Sequence, residues 1–182
     1  MVKLLKERND EINLHISKCL SSSNICGYEL RKSHYYLGVK LGNDIAREKM
    51  LQKKSIAVLI MMRAGLPFGL GIADSLNEDN DVVVLFSTTL DNTFDKYDVV
   101  IIADAVVNTG KTIIHNVEEL KNKQVIVATN VISDKYLNNL KDIEIFATRI
   151  SEHSYKGENI KEVSGRKGPD TGERLFNNSF FK

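Results

Sequence analysis

Cysteine is scarce in this sequence, since only Cys19 and Cys26 occur among 182 residues. Their spacing matches no common metal-binding or redox signature. We therefore expect two buried thiols in a reducing cytoplasm, rather than a disulfide or a metal centre.

Long apolar runs are also absent. The opening residues, MVKLLKERND, lack the apolar segment of a signal peptide. No later stretch approaches the roughly 18 apolar residues that a membrane-spanning helix needs. These absences predict a cytoplasmic protein without a membrane partner.

Neither sign of charge dominates, because 25 Lys and Arg residues face 24 Asp and Glu residues, for a net charge of +1. This balance gives no sequence-wide field that would attract nucleic acid. We expect ligands that are small anions held by local groups, and no nucleic acid partner.

The composition that is present suits a single domain over residues 1–182. Hydrophobic residues make up 42% and charged residues 27%, and the length allows one sizeable core. We expect a helical N-terminal segment over 1–50, an α/β core over 55–150 and a loop-rich C-terminal segment over 151–182.

The N-terminal segment has apolar side chains at helical spacing. One helix is expected to end at 21–24, and a second to run from Tyr28 to about Leu51. The apolar positions behind this prediction are Leu4, Leu5, Ile12, Leu14, Ile16, Leu20, Leu30, Tyr35, Leu37, Val39, Leu41 and Ile45.

Apolar runs of strand length fill the next hundred residues. They cover 56–62, 82–86, 98–103, 124–129 and 143–148. Helices are expected over 68–76, after Thr109, and over 134–140. Almost wholly apolar strands that alternate with helices are typical of a parallel sheet covered on both faces. The predicted fold class is α/β, with a mainly parallel sheet flanked by helices.

Two polar motifs follow predicted strands directly. They are Arg63-Ala64-Gly65 and the stretch from Asp104 to Thr112. Because ligands of open α/β sheets bind at the carboxyl ends of the strands, we expect the two motifs to share one site.

The second motif has the chemistry of a phosphate-binding turn. Gly110 lets the backbone approach a ligand closely, and Thr109 and Thr112 offer hydroxyls. The helix that begins here directs unpaired N–H groups towards an anion. Asp104, expected at the tip of the strand, would repel phosphate but accept hydrogen bonds from the vicinal hydroxyls of a sugar. A ribose phosphate is therefore the favoured ligand.

Two other interpretations of this turn stay open. Residues 105–112 fit a relaxed P-loop pattern that ends in Gly110-Lys111-Thr112, which would bind a nucleoside triphosphate, although the turn has only one glycine. Alternatively, Thr109 is the N-cap of an ordinary helix.

Three segments together resemble the type I phosphoribosyltransferase family, and most closely its uracil branch. Residues 63–67 resemble the loop that contacts pyrophosphate. Asp104 followed by 108–112 resembles the motif that binds 5-phosphoribosyl 1-pyrophosphate (PRPP). Residues 170–176 resemble the segment beside the base, and all three occur in the family's order.

This resemblance implies an enzyme that transfers ribose 5-phosphate from PRPP to a pyrimidine base in a Mg²⁺-dependent reaction. Uracil is the implied base, giving UMP and pyrophosphate in pyrimidine salvage. A C-terminal hood over the base and a homodimer or higher homo-oligomer are also implied. The alternatives are a phosphoribosyltransferase for another base, or a PRPP- or nucleotide-sensing protein on the same fold without turnover.

The resemblance also gives roles to particular residues, with Asp104, Arg63 and Asp170 as the catalytic ones. Asp104 would bind the ribose hydroxyls, and Mg²⁺ would be carried mainly by PRPP, with Asp170 as the candidate protein ligand. The pyrophosphate-binding residues would be Arg63, Ala64 and Gly65. The residues at the 5-phosphate would be Asn108, Thr109, Gly110, Lys111 and Thr112. The base-side residues would be Asp170, Thr171, Gly172 and Arg174.

Two segments depart from the resemblance. Only residues 87–97 stand where the family has a mobile hairpin that covers PRPP. This short lid predicts slow transfer, completion of the site by a partner subunit, or loss of activity. Arg166 and Lys167 stand where the uracil branch contacts the base through backbone groups. They would be solvated, or would bind an acidic group on a different substrate.

The histidines are His15, His34, His115 and His153, and their positions show no ligand spacing. We expect each to be exposed or hydrogen-bonded within the fold rather than catalytic. None is assigned to the site.

Overall fold

The computed structural model describes residues 1–86, 92–120, 122–152 and 170–176. Within these ranges a six-stranded sheet has the order β1-β6-β5-β4-β2-β3, and every neighbouring pair is parallel. The strands are β1 (Val2–Leu4), β2 (Ser55–Ile60), β3 (Asp81–Leu85), β4 (Val99–Val107), β5 (Gln124–Ser133) and β6 (Ile145–Ser151). The predicted α/β fold class is confirmed.

Helices cover both faces of the sheet. They are α1 (Asp10–Cys19), α2 (Gly27–Lys49), α3 (Leu66–Leu76), α4 (Lys111–Glu119) and α5 (Thr171–Phe176), with 3₁₀ turns over Asn92–Lys96 and Asp134–Leu140. Alternate strand residues feed two cores, because successive side chains point to opposite faces. Ile56, Val58 and Ile60 pack with α1, α2, α3 and α5, whereas Ala57 and Leu59 pack on the face of α4 and the 3₁₀ turns.

The N-terminal segment begins with a strand, so the prediction of helix around Leu4 was wrong. β1 pairs with β6, with Val2 opposite Ile145. Three residues are too few to show the alternation that identifies a strand. The first helix starts after Asn9, whose side chain accepts a hydrogen bond from Ile12 N at 2.8 Å. The predicted break after α1 is confirmed, and α2 ends at Lys49.

Two central strands extend beyond their predicted ends. β4 continues to Val107 and β5 to Ser133, and Val107 pairs with Ile132. The predictions stopped at 103 and 129 because Asp104 and Asn130 interrupt the apolar runs. Residues 134–140 form a 3₁₀ turn rather than the predicted helix.

The order of the strands creates a crevice beside β4. From β2 the chain crosses through α3 to the edge strand β3, then returns to β4, which pairs with β2 on one side and β5 on the other. The connections after β2 and β4 therefore lead to opposite faces of the sheet. Ligands of open α/β sheets bind at such a switch point.

The segment predicted to form a short lid is described only in part. Residues 87–91 lie outside the described ranges, whereas Phe94 and Tyr97 are buried in the core beneath β2 and β4. Lys123 Nζ also donates to Asp95 O at 2.6 Å. The second half of the predicted lid is thus packed against the domain.

The remaining predictions concern the cysteines, the C-terminal segment, membrane-spanning helices and the domain organisation. Cys19 is buried and Cys26 half-buried, and both are free thiols. His153, Arg166, Lys167 and most of the predicted hood lie outside the described residues. No helix in the described ranges is long and apolar enough to cross a membrane. The single-domain organisation stays a prediction.

Candidate active site

The loop after β2 packs directly on β4. Met61 N donates to Ala103 O at 2.9 Å, and Gly65 N donates to Met61 O at 3.0 Å. A side-chain carbon on Gly65 would lie 2.8 Å from Ala103 O and 3.4 Å from Asp104 Cα, which leaves no room for any other residue. The predicted pyrophosphate loop and Asp104 are therefore neighbours. Arg63 is exposed on this loop, and its peptide bond with Met62 is cis.

Asp104 lies within β4, three residues before the end of the strand. The prediction that it lies at the tip of the strand was therefore wrong. Its register partner on β5 is Thr129. Val106 N donates to Asp104 Oδ1 at 3.3 Å. Desolvation of the carboxyl group nevertheless raises the pKa of Asp104 to about 7. Near neutral pH both the protonated and the ionised forms of this carboxyl group are populated. It can therefore both donate and accept hydrogen bonds.

The predicted phosphate turn joins β4 to α4 through residues 108–110. Gly110 is the N-cap of α4 and has φ = 73°, a left-handed conformation that glycine adopts without strain. The alternative interpretation with Thr109 as N-cap was wrong, because Gly110 occupies that position, although Thr109 Oγ1 accepts a hydrogen bond from Lys111 N at 3.5 Å. Lys111 and Thr112 are exposed at the start of the helix. The first N–H groups of α4 are thus available to an anion at the carboxyl end of β4.

The base-side segment begins with a reciprocal cap. Asp170 Oδ1 accepts from Glu173 N at 2.7 Å, while Glu173 Oε2 accepts from Asp170 N at 3.2 Å. This capping box fixes the first turn of α5. A side-chain carbon on Gly172 would lie 3.3 Å from Arg63 Nε. The guanidinium of the pyrophosphate loop therefore lies against the start of α5.

Arg174 anchors α5 to the turn between α1 and α2. It is 5% exposed, and its guanidinium donates to Lys18 O, Ser23 O, Ser23 Oγ and Ile25 O. Arg31 Nη1 donates to Leu175 O at 2.6 Å from the neighbouring helix. Arg174 was predicted on the base side, and its bonds show that it also holds the base-side segment in place.

A polar cavity of about 50 Å³ lies between the carboxyl ends of β4–β6 and the helices α1, α2 and α5. We call it the polar cavity. Its lining includes Cys19, Ser21, His34, Val106, Val107, Asn108, Asn130, Val131, Ser133, Arg149, Ser151, Thr171 and Arg174. Since Asn108 belongs to the phosphate turn and Thr171 to the base-side segment, the cavity adjoins both.

Sequence reasoning missed the buried polar residues of this cavity. Asn130 Nδ2 is 3.4 Å from His34 Nδ1, and Thr148 Oγ1 also contacts Asn130. Burial, followed by the charges of Arg174 and Arg149, lowers the pKa of His34 to about 3, so its ring is neutral. The one sequence signal was the polar pair 129–130 inside an apolar strand. His34 contacts Asn130 through Nδ1, whereas its Nε2 has no partner among the described residues.

The three predicted motifs thus meet around one crevice. Gly65 contacts β4 at Asp104, and Gly172 lies against Arg63. The roles given to these residues stay predictions. The described ranges contain no group of three or more His, Cys, Asp and Glu side chains that would hold a metal ion.

Comparisons with known proteins agree with this geometry. A family model described as uracil phosphoribosyltransferase matches residues 32–178. Uracil phosphoribosyltransferase from Methanococcus vannielii is 23% identical over 177 residues, which cover 85% of this chain and 75% of the relative. The protein of that name from Methanococcus maripaludis strain C6 is 24% identical over 176 residues, covering 85% and 74%.

A solved structure shares the fold. The AQ2163 protein from Aquifex aeolicus superimposes with a TM-score of 0.70 at 19% identity, covering 99% of this chain and 100% of that chain. Such a likeness extends over the helices as well as the sheet.

Proposed function

Because this chain belongs to the uracil phosphoribosyltransferase family, we propose that it is an enzyme that transfers ribose 5-phosphate from PRPP to a pyrimidine base. Uracil is the first acceptor to test, and the products would then be UMP and pyrophosphate. We place the reaction in the cytoplasm and expect a homo-oligomer.

The observation that carries the proposal is the contact between Arg63 and the start of α5. A carbon on Gly172 would lie 3.3 Å from Arg63 Nε, and one on Gly65 would lie 3.4 Å from Asp104 Cα. A cation, a carboxylate and a base-side backbone thereby surround one crevice at the switch point of the sheet. Transfer between two bound substrates needs this kind of convergence.

The charges suit the bonds that change in such a transfer. As the C1–O bond to pyrophosphate breaks, the ribose ring becomes positive and the leaving group negative. Arg63 would bind the pyrophosphate through its planar guanidinium. The N–H groups at the start of α4, with Asn108 and Thr109, would hold the 5-phosphate at the opposite end of the ribose. Fixing both ends keeps C1 in line with the attacking nitrogen of the base.

Asp104 would bind the two ribose hydroxyls from the floor of the crevice. Its pKa of about 7 reflects the loss of hydration around this half-buried carboxyl group. Hydroxyl donors would replace that lost hydration and favour the ionised form. An ionised Asp104 beside the ribose would also stabilise positive charge on the ring in the transition state.

A substrate-borne Mg²⁺ fits the donors on this chain. Mg²⁺ commonly binds one or two carboxylates together with substrate phosphates. Asp170 is exposed at the start of α5 and would supply a hard oxygen ligand. When bound, the ion would neutralise charge on the pyrophosphate.

The test is a transfer assay with PRPP, Mg²⁺ and a panel of uracil, orotate, hypoxanthine, adenine and xanthine, with products identified by mass. We expect a nucleoside 5′-monophosphate and stoichiometric pyrophosphate with a pyrimidine. Absence of product with every base would refute transfer by the isolated chain.

A second candidate function is PRPP sensing without turnover. The observation that favours it is the burial of Phe94 and Tyr97, because this part of the predicted lid packs in the core rather than over the site. A lid shortened in this way would exclude water poorly. PRPP-induced thermal stabilisation combined with no product across the panel would support this candidate.

A further inference from the structure

Two buried polar atoms of the polar cavity lack a partner. They are His34 Nε2, from α2, and Ser133 Oγ, at the end of β5, and neither has a hydrogen bond to any described residue. His34 is 1% exposed and Ser133 is 2% exposed, and both line the cavity. Buried polar atoms without partners are rare in folded proteins and commonly mark a ligand or an ordered water.

His34 is held through its other ring nitrogen. Asn130 Nδ2 donates to His34 Nδ1 at 3.4 Å, and Asn130 Oδ1 faces Thr148 Oγ1 on β6. Burial keeps the ring neutral, with a pKa of about 3. A neutral ring carries one proton, and because Nδ1 accepts from Asn130, that proton lies on Nε2. The cavity is thus lined by an N–H donor without an acceptor.

The cationic side chains of the wall already have partners. Arg174 donates to Ser23 O, Ser23 Oγ and Ile25 O, and Arg149 also has a partner. The groups left for a ligand are therefore the neutral N–H of His34 and the hydroxyl of Ser133, which can donate and accept. A neutral ligand group with an acceptor and a donor side by side suits them, because it satisfies both atoms without burying another charge.

The size and position of the cavity limit which part of a ligand enters it. Its volume is about 50 Å³. One water occupies at least about 10–15 Å³ on this measure, so the space suits a few waters or one edge of a ring. A whole base with its ribose does not fit. Asn108 of the phosphate turn and Thr171 of the base-side segment belong to the lining, so the cavity opens beside both proposed substrate sites.

We propose that the polar cavity binds the C4 carbonyl and N3–H edge of the acceptor pyrimidine, and that His34 and Ser133 determine this specificity. The inference rests on the proposed transfer reaction and names the substrate edge that is recognised. In that reaction N1 faces the ribose in the crevice, and C4, which lies opposite N1 in the ring, is directed away from it. His34 Nε2 donates to O4, and Ser133 Oγ accepts from N3–H. Cytosine is disfavoured, because its 4-amino group places a donor against the N–H of His34.

The first test removes the hydroxyl of Ser133. Wild type and Ser133→Ala are assayed with PRPP and either uracil or pyrimidin-2-one, which lacks both O4 and N3–H. We expect the ratio of uracil to pyrimidin-2-one kcat/KM to fall by about tenfold in Ser133→Ala, because only uracil loses a hydrogen bond. The intrinsic reactivity of each base cancels in this comparison. Ser75→Ala is the matched control, since its hydroxyl donates to Ile72 O outside the cavity, and it should keep the wild-type ratio.

Thermal melts show whether the hydroxyl serves the fold instead. Removing a buried hydroxyl without a partner should leave the melting temperature of Ser133→Ala unchanged or raised. A lower melting temperature with a wild-type ratio would mean that Ser133 has a structural role only, and would overturn the proposal. An unchanged ratio at an unchanged melting temperature would mean that the cavity holds only ordered water, and would overturn it as well.

A second pair of variants separates the two ring nitrogens of His34. His34→Asn keeps a polar atom near the position of Nδ1, beside Asn130, and has none near Nε2. His34→Gln extends an amide to about the position of Nε2. We expect the ratio of uracil to pyrimidin-2-one kcat/KM to fall by about tenfold in His34→Asn and to stay within about threefold of wild type in His34→Gln. A wild-type ratio in His34→Asn would overturn the role of His34. If neither variant folds, Ser133→Ala decides.

A binding measurement separates failure of this inference from failure of the proposed function. Calorimetric titration with UMP and with the 5′-monophosphate of the pyrimidin-2-one ribonucleoside needs no turnover. Tighter binding of UMP, by a factor that shrinks in Ser133→Ala, together with no product from any base supports the cavity and refutes transfer. Product formed by wild type and Ser133→Ala with the same ratio supports transfer and overturns the role of the cavity. Neither UMP binding nor product would refute both.

Discussion

The two ends of β4 carry aspartates in opposite environments. Asp98 immediately precedes the strand, where Ser55 N and Ser55 Oγ donate to its carboxylate at 2.9 and 3.0 Å. These bonds hold the pKa of Asp98 below its ordinary value. Six residues later, burial raises the pKa of Asp104 to about 7. One strand thus has a carboxylate whose pKa is lowered by hydrogen bonds at its amino end, and a desolvated carboxyl group with a raised pKa near its carboxyl end.

Charged groups on neighbouring elements also differ between the amino ends and the carboxyl ends of the strands. Near the amino ends, Glu48 pairs with Lys3 and Lys6, and Glu144 pairs with Lys3 and Lys49. Near the carboxyl ends, Asp104 has no ion pair among the described residues, and Arg174 bonds to neutral groups. The charges near the amino ends are thus paired with one another, whereas the proposed ligand site lies where Asp104 and Arg174 have no ion pair among the described residues. Groups with shifted pKa values and no charged partner are candidates for functional residues.

The largest expected effect comes from breaking this contrast at Asp104. Asp104→Asn keeps the size of the side chain and removes its charge, so we expect kcat/KM for PRPP to fall by about 100-fold. Steady-state assays of pyrophosphate release measure it. Asp98→Asn is the matched control, with the same substitution at the other end of the strand. A value for Asp104→Asn within about threefold of wild type would contradict the role of Asp104.

The second prediction concerns pH and stability. The folded-state pKa of Asp104 lies above its unfolded value, so the folded chain binds more protons between about pH 4 and 7, and its stability falls as the pH rises through that window. Asp104→Asn removes this dependence. The melting temperature of Asp104→Asn minus that of wild type should increase by on the order of 5 °C between pH 5.5 and pH 8.

The stability of Asp98→Asn relative to wild type should depend on pH in the opposite direction in the same thermal melts. The pKa of Asp98 is depressed, so its carboxylate stabilises the fold at neutral pH and that stabilisation is lost on acidification. A parallel response of both variants to pH would show that the two aspartates do not differ as described.

A smaller effect is expected from crowding Arg63. In Gly172→Ala the new methyl would lie 3.2 Å from Asp170 Oδ1 and 3.3 Å from Arg63 Nε, so both the carboxylate and the guanidinium must shift by a few tenths of an ångström. We expect the KM for PRPP to rise by about five- to tenfold with little change in kcat. Glu173→Ala weakens the cap of α5 without adding an atom beside Arg63, and should change KM less. The reverse order would contradict the proposed contact.

The smallest effect is expected at the amino ends. Glu48→Gln removes the partner of Lys3 and Lys6, and should lower the free energy of unfolding by up to about 1 kcal/mol. Urea denaturation at low and high salt measures this loss, which should shrink as salt screens the charges. Transfer activity should stay at the wild-type level. A loss of activity would mean that the two ends of the sheet are coupled.

The core of the sheet was predictable because five of its strands are nearly continuous apolar runs. β1 was missed since three residues carry no pattern, and the ends of β4 and β5 were missed because polar residues lie inside the paired region. The motifs at 63–65 and 104–112 could be identified in the sequence as candidate site residues, and their roles stay predictions. The contact of Arg63 with Gly172 was not, because it depends on how α5 docks. His34 and Arg149 belong to no motif, so only the fold reveals their shared cavity.

The docking of α5 also bears on how this chain can diverge. Lys18, Ser23, Ile25 and Arg31 hold the base-side segment through hydrogen bonds with Arg174 and Leu175. All four anchoring residues precede residue 32, where the match to the family model begins. Substitutions in that stretch can therefore tilt or shift α5 while every family motif stays intact. In the proposed transfer reaction, the position of the base-side segment would therefore depend on residues outside the region that the family model matches.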